Sequence, residues 1–428
     1  MTTARLAILT AALVATAAVA GEPGPQVEAA ALRKEATDTA ERLLAEFPKD
    51  PAAHILKASM HYNLGDSAAA EKWLAKSLEL DPNMAAAYDM LATIAFEKGD
   101  AERTVALCTK ALELAPDVPA VRQRLGKALL DLGRAKESVA VMQETIESCG
   151  GSSETFYLLG QGYLQLKDYQ KAKESFLVAI ELVPNHTQAY FGLFTACTRL
   201  GERVEADRYK QRFRELDAQD RKTLGEEDRR DSALGGPSLE RRAVAKTCLG
   251  AGQVYLKHQR PGRAEDSWRR AAEIDPDDMM CRAQLVVLLG QQDREVDIQK
   301  LFEQLVEQQP AAAANYYFLG TLHLRSRRYD AAEKPLQKAV ELGPKRPEGY
   351  RALAQLYLAS GRRLPMARAL AARLVELEPS PKSLVLLTRA CAKIGDRAGA
   401  LSAIERAIRL DPENKVYARM RQQLRGER

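Results

Sequence analysis

The sequence predicts an all-α chain of antiparallel helix pairs stacked into a solenoid, and three observations carry that expectation. First, prolines recur at a fixed interval. Pro48, Pro82, Pro116 and Pro184 are separated by 34, 34 and 68 residues, and Pro276, Pro310, Pro344, Pro379 and Pro412 by 34, 34, 35 and 33. Gly150 stands at the beat that the longest of these gaps skips. A period of about 34 residues is that of a two-helix unit that buries its apolar face by stacking on copies of itself. Second, small residues recur in phase. With Pro51 as position 1 of a repeat, position 20 of the second helix reads Ala36, Ala70, Thr104, Ser138, Ala172, Ala206, Ala264, Ile298, Ala332, Ala367 and Ala400. Third, Gly65, Gly99, Gly133, Gly201, Gly361 and Gly395 fall between the paired helices, where a left-handed residue ends the first of them.

The elements follow in chain order. Residues 1–20 read as a signal peptide: a basic start at Arg5, an apolar run from Leu6 to Ala17, and the small residues Ala18-Val19-Ala20 before a new first residue, Gly21. Export to a periplasmic or secreted location is expected. The alternative is an uncleaved anchor, and only then would the chain touch a membrane. Residues 21–217 form an N-terminal array. It opens with a half-repeat from about Gln26 to Phe47, a lone second helix that acts as a cap. Within each repeat the first helix (A) carries leucine at position 7: Leu91, Leu125, Leu159, Leu193, Leu285, Leu319, Leu353 and Leu387. Position 8 is small: Ala58, Ala92, Gly126, Gly160, Gly252 and Gly320. Aromatic residues recur at position 4: Tyr88, Phe156, Tyr190, Tyr316 and Tyr350.

Residues 218–240 form a charged joint. Pro184 and Pro276 lie two repeats plus 24 residues apart, and Asp217 to Asp231 holds six acidic and four basic residues. Ala206 to Leu224 has no proline or glycine and can run on as one helix; Gly235-Gly236-Pro237 then forces a turn. Residues 241–428 form a second array, closed by a polar capping helix over Lys415 to Gln423. Two positions break the pattern. Ile298 should push its helices apart or shift their register, and Pro335 should kink its helix. Pro365 opens a helix, where proline is tolerated.

Composition excludes several functions. The net charge is +5 against 63 basic and 58 acidic residues, too balanced to point to nucleic acid. Six cysteines include no CxxC pair. They are expected to be free thiols, with Cys248 and Cys281 on neighbouring A helices the one pair considered for a bridge. Gly160-Gln-Gly162 and Gly250-Ala-Gly252 have no preceding strand and no third glycine, so close packing explains them better than a dinucleotide loop. His54 and His61 share a helix face but lie about 10 Å apart, too far for one metal ion. No catalytic constellation is found, so no enzyme activity, cofactor, metal or small-molecule substrate is expected.

The proline beat, the small residues at positions 8 and 20, the leucine at position 7 and the aromatic residue at position 4 together resemble the tetratricopeptide repeat family, over nearly all of the mature chain. Stretches such as Trp268-Arg-Arg-Ala-Ala-Glu-Ile-Asp-Pro276 look like exported bacterial members. The resemblance implies a right-handed superhelix whose A helices line a concave groove that holds a protein or peptide. It places Tyr157, Gln161, Phe191 and Thr195 there, with Tyr317 and Thr321 in the second array. Tyr157 and Phe191, one repeat apart, should be neighbours. The expected function is a non-enzymatic scaffold in the bacterial periplasm or cell envelope. The alternative is an accessory subunit of an envelope polysaccharide-export or secretion complex. The asparagines and the partnered lysine of chaperone-binding and glycosyltransferase-linked members are missing from position 6.

Overall fold

A computed structural model describes residues 25–233, 238–276, 278–411 and 414–426. The signal segment 1–20 and the Gly235-Gly236-Pro237 turn lie outside the described residues. Twenty-two helices and no strand occur among the described residues. A single helix, α1 (Pro25–Glu46), comes first. Five pairs follow: α2 (Pro51–Asn63) and α3 (Ser67–Leu80), α4 (Ala85–Glu97) and α5 (Ala101–Leu114), α6 (Pro119–Asp131) and α7 (Ala135–Cys149), α8 (Ser153–Gln165) and α9 (Tyr169–Leu182), α10 (Thr187–Leu200) and α11 (Arg203–Ala233). The next five are α12 (Ser238–Lys257) and α13 (Pro261–Ile274), α14 (Met279–Gln291) and α15 (Glu295–Gln308), α16 (Ala313–Arg325) and α17 (Tyr329–Leu342), α18 (Pro347–Ser360) and α19 (Leu364–Leu377), α20 (Pro381–Lys393) and α21 (Arg397–Leu410). Helix α22 (Lys415–Arg425) ends the run. The fold is an all-α solenoid of stacked helix pairs.

The turn within each pair is encoded locally. Gly65, Gly99, Gly133, Gly201, Gly361 and Gly395 all have φ between 69° and 85°. Four repeats lack the glycine, and there Lys167, Gln259, Asp293 and Arg327 take the same conformation at φ 55–62°. A side chain there costs roughly 1–2 kcal/mol, so the packing of the helix pair imposes the turn. The residue after the left-handed one is often aspartate, and its carboxylate caps helix B. Asp66, Asp100, Asp168 and Asp396 accept the amides of Ala69, Arg103, Lys171 and Gly399 at 2.8–3.2 Å.

The two helices of a repeat close on a complementary pair sixteen residues apart. Where position 8 is glycine, a large side chain fills the space: Met142 against Gly126, Phe176 against Gly160, Trp268 against Gly252 and Leu336 against Gly320. Phe176 also covers Gly192 of the next repeat, so its ring is sandwiched between two glycines. This packing accounts for the Gly160 and Gly252 pairs. The position-20 residues are all buried. In the α14–α15 repeat, Val286 stands at position 8 opposite Phe302, and Ile298 fills position 20; those two helices approach each other least closely of any repeat pair. The overfilled seam holds the backbones apart, as expected for Ile298. Helix α17 runs unbroken through Pro335, and α19 has Pro365 in its first turn.

The prolines carry a function of their own. The side chain six residues after several of them donates to the proline carbonyl: His54 Nε2 to Pro48 (2.9 Å), Arg122 Nε to Pro116 (3.0 Å), and the hydroxyls of Tyr190 and Tyr350 to Pro184 and Pro344 (both 3.1 Å). In these four repeats position 4 satisfies an orphan carbonyl just past the end of the preceding helix. The aromatic pattern reports only part of it. In the α14 repeat that position is Arg282, which is fully buried. It donates to the carbonyls of Ala272 (3.0 Å), Asp275 (3.1 Å) and Asp278 (2.7 Å) and to the side chains of Gln309 (3.2 Å) and Asn315 (2.7 Å).

Helix α1 is not a free terminal cap. Helix α12 lies across it, so α1 is packed by α2 on one side and by α12 on the other. Leu32, Ala36, Ala40 and Leu43 of α1 and Leu56 and Met60 of α2 share one core with Val244, Cys248, Ala251 and Tyr255 of α12. Gly250 sits against Leu56. The second helix run thus starts again from the beginning of the first. The reason is physical: a lone helix B leaves an apolar face open, and α12, with 20 residues against the 13 of α14, is long enough to cover it. The charged stretch from Asp217 to Asp231 is the distal part of α11, one helix of 31 residues.

Candidate protein-binding site

The six groove residues fall on α8, α10 and α16, and their environments differ. The Tyr157 ring packs on Phe176 (6.0 Å between centroids) and His186 (4.9 Å), and its hydroxyl accepts from Gln161 Nε2 at 3.1 Å. Burial, helped by Glu154, pushes its pKa up. Tyr157 is thus half built into the repeat seam. Phe191 is 49% exposed and packs on Phe194 (6.1 Å) and Phe213 of α11 (5.3 Å). No ring contact joins Tyr157 to Phe191 among the described residues, because each ring turns to its own repeat. The Thr195 hydroxyl donates back to the Phe191 carbonyl at 2.9 Å, and Lys210 Nζ lies 5.4 Å from the Phe194 ring. Lys210 and Phe213 stand at positions 24 and 27 of their repeat, in the part of α11 that the second helix of every repeat shares, ahead of its charged extension.

In the second array Tyr317 makes an edge contact with Phe318 at 5.1 Å, and Thr321 donates to the Phe318 carbonyl at 3.0 Å. Burial raises the Tyr317 pKa. Tyr317 belongs to the packing between repeats, and Thr321 bonds within its own helix. Phe191, Phe194 and Phe213 are what remains as an open aromatic surface.

A second polar assembly rims the α1–α12 junction. Acids on the α1 side face bases on α12, α13 and the turn between them: Glu35 with Arg270 (2.7 Å), Glu46 with Arg260 (3.0 Å), Glu28 with Arg241, and Asp50 with Lys257 (2.8 Å) and His258 (2.6 Å). Arg33 and Glu240 reverse the direction at 2.7 Å. The His258 ring stacks on Phe47 at 3.9 Å. Burial works to raise the Asp50 pKa, but hydrogen bonds from Lys257, the Ala52 amide and His258 outweigh it and hold it below its usual value. Between α1, α12 and α13 lies an open, mixed-charge cavity of about 480 Å³ that includes Glu35, Arg42, Cys248 and Arg263.

All six cysteines are free, Cys248 and Cys281 among them. Five are buried and Cys149 is exposed. Burial pushes Cys108 and Cys197 up to about 11 and Cys248 and Cys281 to about 12, so these thiols behave as apolar side chains. Among the described residues no cluster of three His, Cys, Asp or Glu could hold a metal ion, and no helix is long and apolar enough to cross a membrane.

Comparison with known families matches tetratricopeptide repeat models to residues 29–85, 95–148, 153–186, 299–347 and 383–416. The chain belongs to the tetratricopeptide repeat (TPR) family. No curated protein matches it. Among solved structures it is similar to MamA from Desulfovibrio magneticus RS-1 (20% identity, TM-score 0.36, covering 40% of this chain and 97% of that one). It is also similar to yeast Tom70 (17%, TM-score 0.36, covering 88% and 95%) and to YrrB, a TPR protein with an unusual peptide-binding site (18%, TM-score 0.33, covering 42% and 92%). These likenesses concern the fold alone. As a TPR protein the chain is a scaffold of the type that binds protein or peptide partners.

Proposed function

We propose that this TPR protein is a non-enzymatic scaffold of the bacterial periplasm or cell envelope that holds a protein or peptide against the aromatic surface at the end of its first array. The observation that carries the reading is the half-exposed Phe191 ring, supported from behind by Phe194 and Phe213. Rigid rings give a partner a large contact area at little entropic cost. Gln161 and Thr195 add polar groups alongside, although both already bond within their own helix. Tyr157 fixes the seam of the neighbouring repeat through Phe176 and His186, whereas Tyr317 and Thr321 lie in the second array and are not part of this surface. Export rests on the apolar run Leu6–Ala17 and the small residues ending at Ala20.

A photoreactive phenylalanine at position 191, activated in the source cell, tests the reading. One dominant adduct is expected, weakened by Phe213→Ala and absent when the photoreactive group stands at the exposed position 174 of α9. Adducts with a group of membrane-complex subunits, insensitive to Phe213→Ala, would favour the accessory-subunit alternative. Sequencing the N-terminus of the fractionated protein should find Gly21 in an exported fraction.

A further inference from the structure

The second array meets the first at two places of unequal strength. At the proximal place, α12 and α13 share the apolar core of α1 and α2, and ion pairs rim it. At the distal place, Glu181 in the last turn of α9 receives Arg409 Nη2 at 3.0 Å, with Arg406 Nε at 3.8 Å, both from α21. These three side chains are 41%, 59% and 33% exposed, and α9 and α21 make no extended backbone approach. With the covalent path along each array, the two contacts close a loop.

An ion pair so exposed biases an equilibrium by only about two- to five-fold and is screened by salt. The proximal core is held by the burial of side chains such as Leu32, Leu43, Leu56 and Val244, which salt does not weaken. Any opening of the loop must therefore occur at the distal end. We infer that the protein is a clamp: the junction of α1–α2 with α12–α13 is its pivot, and the contact of Glu181 with Arg406 and Arg409 is its latch. While the latch is closed, a chain lying between the arrays is encircled. When it opens, an extended partner enters or leaves sideways without threading. The clamp does not depend on what the aromatic surface holds.

Paired spin labels on the full chain test it, in a Cys149→Ser background so that the exposed native thiol stays unlabelled. The distal pair is Val183→Cys with Ser402→Cys, and the proximal control pair is Ala31→Cys with Arg242→Cys; all four positions are exposed. Raising ionic strength from about 0.1 M to about 1 M shortens the screening length from about 10 Å to about 3 Å. The closed-to-open ratio of the distal pair should fall by about three- to five-fold while the proximal distance stays fixed. Glu181→Arg should open the latch at low salt, and adding Arg406→Glu and Arg409→Glu should restore closure. Distal distances unmoved by both salt and Glu181→Arg would overturn the clamp. So would equal widening at the proximal pair, or failure of the reciprocal charges to close the latch.

Discussion

Gly252→Ala sets two known effects against each other, and the structure decides between them. Alanine is the better helix former by about 1 kcal/mol, so in an open helix this change would stabilise. Here a methyl group at Gly252 would lie 2.6 Å from Cδ1 and Cε2 of Trp268. That ring is fully buried and held by a 3.0 Å hydrogen bond from Nε1 to the Leu249 carbonyl, so it cannot swing aside as a leucine tip would. Forcing it out costs roughly 1–3 kcal/mol of overpacking, and the lost hydrogen bond about 1 kcal/mol more. The net expectation is a loss of about 1–3 kcal/mol, read by urea unfolding through Trp268 fluorescence and helical circular dichroism. Trp268→Leu in the same chain should recover part of the loss, since it vacates the space that the methyl group needs. A Gly252→Ala protein as stable as the parent would refute the account, because helix propensity would then have won and the pairing of positions 8 and 24 would not govern the seam.

Other perturbations follow from the same geometry. Replacing Lys167, Gln259 or Arg327 by glycine should stabilise by about 1 kcal/mol each, seen as a higher urea midpoint. Arg282→Met should cost about 3–5 kcal/mol, since it strands three backbone carbonyls and two amide side chains in the interior; helix content at increasing urea would show the loss. Acid should weaken the fold through His323 and His61, whose pKa values burial holds below the ordinary 6.5. The unfolded chain then takes up protons first, so this contribution is intact above pH 6.5 and drains away as pH falls from there through the depressed folded values. His323→Leu should flatten that slope in unfolding experiments run from pH 7.5 to pH 5. A thiol reagent should modify Cys149 alone in the folded protein, and all six cysteines after denaturation.

By itself the sequence determined the repeat. Its period, its left-handed glycines and the small residues at positions 8 and 20 are local signals, each satisfied within about one repeat, so they can be read along the chain. The overfilled seam at Ile298 was legible for the same reason. Only the tertiary structure decided which residues carry polar work at position 4, because tyrosine, histidine and arginine all reach the proline carbonyl and share no composition. Only it separated Phe191, left open beside Phe213, from Tyr157, drawn into the seam by Phe176 and His186. And only it placed α12 on α1 and Glu181 under Arg406 and Arg409. Those contacts join residues some two hundred positions apart, where no period relates one partner to the other; α12 gains by covering the apolar face that a lone first helix leaves exposed, and Glu181 by an exposed ion pair.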